Sequence, residues 1–179
     1  MSVTSVDRDD DNLTITLIAD FAAPIDQVWD LWSDPRKLER WLGPATHPAS
    51  VEKHDLTAGG EITFFMTGPE GDRSWGTWRV TAVDRPTSVE FTDAFADVDG
   101  SPIADMPVSA IRVQLTERGG GTRMEMHAAF ESREDMERWV SMGTVEGLQQ
   151  AVGQMDALLA LRDSQPKGAR ASLCRPTEQ

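Results

Sequence analysis

In LTITLIADFA, Leu13 to Ala22, apolar side chains occupy alternate positions: Leu13, Ile15, Leu17, Ala19 and Phe21. That alternation predicts a strand with one buried face. The period then lengthens. Ile25, Val28, Trp29 and Trp32 recur at i, i+3, i+4 and i+7, the stripe of an amphipathic helix, with Pro24 placed as a first-turn residue. Ser33 or Asp34 can cap a second short helix with Pro35 at its first position. Leu38, Trp41 and Leu42 form the apolar side of that helix, and Gly43-Pro44 ends it.

From about residue 49 to 131 the period returns to two, broken by short Gly, Pro and Asp turns. The pattern predicts six successive antiparallel strands. Their expected inward sets are Ile62/Phe64/Met66, Trp78/Val80/Ala82, Val89/Phe91, Ile111/Val113/Leu115 and Met124/Met126/Ala128/Phe130. Ser132-Arg-Glu-Asp135 resembles a capping box and opens a helix carrying Met136, Trp139 and Val140. Gly143 interrupts it. A longer helix follows from Glu146 to Leu161, with Leu148, Val152, Met155 and Leu159 as its stripe, widened by Ala151 and Leu158. At ~1.5 Å per residue it spans roughly 24 Å, enough to cross a sheet. Residues 1–12 read as a mobile acidic arm and 163–179 as a disordered tail, leaving a single domain over 13–162. Strands grouped together with helices at the ends define an α+β domain of about seven strands, its apolar face covered by the last helix.

Charge narrows the partners. Lys and Arg number 17 against 30 Asp and Glu, a net charge of −13. Nucleic acid and anionic membrane surfaces call for the opposite balance. No stretch approaches the ~20 apolar residues of a membrane span, and the polar N-terminus is not a signal peptide. The one cysteine, Cys174, excludes an intrachain disulfide, and the cytoplasm is the expected compartment. No motif calls for a cofactor or a metal; Asp7-Arg-Asp-Asp-Asp11 lacks the spacing and glycine of a calcium loop.

Several short pieces share one pattern. They are Pro24/Val28/Trp29; Asp34/Pro35/Leu38/Trp41/Gly43/Pro44; Asp55/Gly59/Gly60; Gly76/Trp78; and Gly121/Thr122/Arg123. Their order over residues 13–161 resembles the START-like, helix-grip (SRPBCC) superfamily. Within it the chain is most similar to the branch named after the activator of the ninety-kilodalton heat-shock chaperone ATPase. That branch often opens its final helix with Gly-Trp; here the pair is Gly147-Leu148. The resemblance implies a curved sheet wrapped around the C-terminal helix, with a cavity between them.

On that expectation Trp41, Phe64, Met66, Trp78, Phe91 and Met126, with Met142, Leu148 and Val152 from the helical end, are the candidate ligand-binding residues. Methionines deform around varied partners, and aromatic walls suit an apolar ligand. Trp29 and Trp32 are expected to be packing residues. His47, His54 and His127 are expected at the surface, and Asp93 and Arg112 as solvated strand residues, because a buried unpaired charge is costly. No catalytic residue is assigned. The expected function is binding of an apolar or amphipathic small molecule. The alternatives are a chaperone-regulating interaction module and a polyketide cyclase-like enzyme. Oligomeric state stays open, a homodimer included.

Overall fold

The computed structural model describes residues 3–163, with side chains as far as Leu161; the expected tail beyond Asp163, with Cys174, lies outside them. In chain order the elements are β1 (Val3–Asp9), β2 (Thr14–Phe21), α1 (Ile25–Ser33), α2 (Pro35–Leu38), β3 (Ala49–His54), β4 (Glu61–Thr67), β5 (Arg73–Asp84), β6 (Ser88–Ala96), β7 (Val108–Arg118), β8 (Gly121–Phe130), α3 (Arg133–Ser141) and α4 (Thr144–Asp163). The strands form one antiparallel sheet in the order β1-β2-β8-β7-β6-β5-β4-β3. After β2, α1 and α2 carry the chain to the far edge. It then meanders back strand by strand until β8 pairs with β2. One curved sheet thus acquires an inner face roofed by helices.

The sheet has eight strands rather than seven. The extra one is the expected acidic arm, whose residues 3–9 pair with β2 as an edge strand. Val3 and Val6 are half-buried against the core, while the backbone ladder holds Thr4 and Ser5 between them and the charged Asp7, Arg8 and Asp9 after them. The acidic run closes the β1–β2 hairpin. The Asp9 carboxylate accepts from the backbone N–H groups of Asp11 and Asn12 and from the Asn12 amide, which holds its pKa below the ordinary value.

Strand parity places most expected residues as the sequence predicts. Ile62, Trp78, Val80, Val113, Met124 and Met126 are all buried. Ala82 is exposed instead, because the β5–β6 register shifts between Val80 and Ala82 and reverses the parity beyond. Asp34, not Ser33, caps α2 by accepting from Arg36 N–H, and Pro35 is its first residue. The helix closes at Leu38, so Trp41 and Leu42 sit in the turn after it. Ser132 caps α3 by accepting from Asp135 N–H. Gly143, at φ +76, separates α3 from α4. The α4 stripe is buried at Ala151, Val152, Met155 and Leu159.

The Gly121-Thr-Arg123 motif has a structural role. A Cβ on Gly121 would lie 2.3 Å from the Phe21 carbonyl oxygen. The Thr122 hydroxyl donates to the Ala23 carbonyl at 2.7 Å, and Arg123 makes paired bonds of 2.8 Å to Asp20. All three fasten the start of β8 to the end of β2, just before the chain enters α1. That junction fixes how the helices sit over the sheet.

Candidate functional site

Between the inner face of the sheet and the helices lies a cavity of about 400 Å³. Its floor consists of inward residues of successive strands: Phe64 and Met66 on β4, Trp78 on β5, Phe91 on β6, Ile111 on β7 and Met126 on β8. Trp32, Trp41 and Trp139 wall it from the helical side. Leu42, Pro44, His47, Pro107, Met142 and Leu148 lie around the mouth, where Met142 is 46% exposed.

The walls are held by ring packing and a few polar ties. Trp78 stacks on Phe91 at 4.3 Å between centroids, and Phe64 meets Trp78 edge-on at 5.4 Å. Trp32 meets Trp41 edge-on at 4.7 Å and lies 6.0 Å from Trp78. The Trp41 indole donates to the Leu31 carbonyl at 2.8 Å, so its polar atom is satisfied away from the cavity. Gln154 on α4 donates to the carbonyls of Gly43 at 2.6 Å and Trp41 at 3.3 Å, tying the roof helix to the loop after α2. Arg138 on α3 donates to the Asp105 carbonyl and to the Met106 sulfur, which ties down the β6–β7 loop at the other side of the mouth.

Of the nine candidates from the sequence, Trp41, Phe64, Met66, Trp78, Phe91, Met126, Met142 and Leu148 line this cavity. Val152 does not; it is fully buried one helical turn beyond Leu148, in the filled part of the core. Trp29 is a packing residue as expected. Trp32 packs and also lines the cavity, because its helix crosses above Trp78 and Phe91. His47 is half-buried at the mouth rather than on the open surface. His54 is half-buried too, its Nε2 at 3.0 Å from the Trp32 carbonyl oxygen. His127 faces outward, its Nδ1 at 2.9 Å from the Thr16 hydroxyl.

The main correction concerns Asp93. It shares the parity of Phe91, is half-buried, and lines the cavity. Burial pushes its carboxyl up to about 6, while the neighbouring Trp78 indole N–H acts in the opposite sense. Arg112 has the other parity: it is on the outer face, 3.5 Å from Glu90. Among the described residues no group of three or more His, Cys, Asp or Glu is placed to hold a metal ion, and no helix is long and apolar enough to cross a membrane.

A curved antiparallel sheet gripping a long C-terminal helix, with an apolar cavity between them, defines a START-like helix-grip domain. The chain belongs to the family described as activator of Hsp90 ATPase homolog 1-like protein, whose pattern matches residues 22–160. It is similar to a Mycobacterium smegmatis protein of known crystal structure, at 47% identity and a TM-score of 0.82, over 88% of this chain and 96% of that one. An Arthrobacter aurescens protein solved by NMR is 39% identical with a TM-score of 0.86, over 98% of this chain and 100% of that one. A Silicibacter pomeroyi AHSA1 protein is 27% identical with a TM-score of 0.67, over 83% and 99%. No curated protein matches the chain.

Proposed function

We propose that this protein is a binding domain that holds an apolar or amphipathic small molecule between the sheet and α4. The observation that carries this reading is the cavity of about 400 Å³, walled by indole, phenyl and methionine side chains. Ligand sites have this character: concave, mostly apolar, with few polar groups, and ~300–1,000 Å³ in volume. A surface-acting chaperone regulator has no need of such a space and is better served by a filled core. A cyclase-like enzyme needs groups placed to move protons on its substrate. Here Asp93 is the one carboxyl in the wall, and His47 stands at the mouth. The acidic chain with its single cysteine suits the cytoplasm.

The test is titration with Nile red, a neutral apolar dye, alongside native mass spectrometry of freshly purified protein. The dye should bind saturably at one site. Met126→Trp, which fills the cavity from its floor, should abolish binding while the protein still melts cooperatively. Absence of both dye binding and a co-purified ligand would remove the proposal, as would equal binding by a folded Met126→Trp protein.

A further inference from the structure

Trp78 on β5, Asp93 on β6 and Ser109 on β7 are cross-strand partners in one row of the sheet. Directly opposed residues project to the same face with Cβ atoms ~4.5–5.5 Å apart. The adjoining row is wholly apolar: Val80, Phe91 and Ile111. On the other side Gly76 stands opposite Phe95. A short polar row is therefore set into a hydrophobic wall.

The row is incompletely satisfied. Ser109, 1% exposed, has no hydrogen-bond partner for its Oγ among the described residues, and the indole N–H of Trp78, 5% exposed, lies near enough to Asp93 to favour its charged form but makes no hydrogen bond of good geometry. Trp32 Nε1, from the helical side of the same cavity, is likewise buried without a partner. Buried polar groups without partners are uncommon in folded proteins, and each destabilises the folded state. Asp93 lines the cavity together with Trp78 and Trp32, while Ser109, its other cross-strand partner, is buried on the same face outside the lining. Among the described residues no lysine or arginine lines the space, and His47 is the one basic side chain there.

We propose that this row is a headgroup anchor, and that the bound molecule is an apolar body ending in a hydroxyl. The inference rests on the binding reading above and specifies its ligand. A hydroxyl can donate to Asp93 and accept from an indole N–H at the same time. A carboxylate can only accept, and it sets a second negative charge against Asp93 in a desolvated wall. An ammonium neutralises Asp93 but incurs its own desolvation cost in an apolar wall and sets its donors against the indole N–H groups. A hydrocarbon leaves every group of the row unpaired. Sites built to hydrogen-bond a substrate hydroxyl reject analogues that lack it much more strongly than apolar pockets reject a missing methylene.

The experiment is calorimetric titration at neutral pH with ligands sharing one aromatic body: naphthylmethanol, naphthoate, naphthylmethylammonium and methylnaphthalene. The alcohol should bind at least about tenfold tighter than the other three, the effect of ~1.4 kcal/mol. Asp93→Ala should bring the alcohol down to the affinity of methylnaphthalene and leave methylnaphthalene itself unweakened. Asp93→Asn, which keeps both an acceptor and the side-chain shape, should retain the preference for the alcohol and lose most of the discrimination against naphthoate. Equal affinities for the four ligands, or an alcohol preference that survives Asp93→Ala, would overturn the anchor while the binding reading stands. Failure of all four ligands to bind to protein that binds Nile red would overturn the anchor alone; failure of Nile red as well, with no co-purified ligand, would take both readings away.

Discussion

The ring of Phe64 lies directly across the backbone of Gly76: a Cβ built on Gly76 would be 2.5 Å from the Phe64 Cζ. The two residues are opposed on β4 and β5, and both line the cavity. Gly76→Ala should therefore push the phenyl ring into the open space. Overpacking of this kind costs ~1–3 kcal/mol. The expected outcome is a lower urea midpoint together with weaker Nile red binding. Gly76→Ala combined with Phe64→Leu should recover part of both losses, because contacting residues couple. Strictly additive losses would show that the ring moves elsewhere.

At the other end of the sheet, Thr122→Val should cost ~1–3 kcal/mol, because it leaves the buried Ala23 carbonyl without its donor. Thr122→Ser keeps the hydroxyl and should lose much less. Chemical denaturation of both variants measures the difference, and equal losses would assign the effect to the methyl group instead.

Leu148 is half-buried at the cavity mouth, and a Cβ on its neighbour Gly147 would meet nothing within 4 Å. Leu148→Trp should therefore place its ring over the opening. Affinity for Nile red should fall while the melting temperature changes little. A large loss of stability with unchanged affinity would show a tightly packed position rather than a gate.

Asp93 makes stability depend on pH. Its carboxyl is pushed up to about 6 in the folded protein, against 3.8 for an ordinary aspartate. Below both values it is protonated in both states and contributes nothing to the dependence. Between them the folded state keeps a proton that the unfolded chain has released, so stability falls as pH rises. Above about 6 both states are ionised and the full cost is present, at most on the order of 3 kcal/mol. The cavity groups around it, Trp32, Trp78 and Ile111, do not titrate in this range, and His47 is the other titratable side chain in the wall. Asp93→Asn should thus stabilise the protein at neutral pH and be nearly neutral below pH ~4. Denaturation curves at the two pH values check this; a gain of equal size at both would assign it to shape, not charge.

Much of this architecture is legible because alternation is a strong physical signal. The inner face of β8 needs only every second side chain to be apolar, and Met124, Met126, Ala128 and Phe130 supply that. β1 is illegible for the converse reason. An edge strand can be held by its backbone ladder to β2, so residues 3–9 need no apolar period. Ala82 is misplaced because a bulge leaves no local mark in the sequence. Asp93 is the instructive case. Its parity with Phe91 points inward, yet the usual cost of burying a carboxylate argues outward; the cavity resolves the conflict by giving the group somewhere to face. His47 lies in a loop, where no period exists to place it. Val152 continues the stripe of Leu148 but lies one turn further along α4, where the core is already filled.

The clustered indoles have an optical consequence. The chain contains no tyrosine, so its near-ultraviolet spectrum comes from tryptophan and phenylalanine alone. Trp32 stands 4.7 Å from Trp41 and 6.0 Å from Trp78, centroid to centroid, and all three border the cavity. Chromophores this close couple their transitions and pass excitation among themselves. A molecule that settles against any one of them alters the circular dichroism and emission of the whole group. Unlabelled compounds can therefore be screened by watching the protein's own light, and a ligand carried through purification should betray itself as a change in that spectrum when it is extracted.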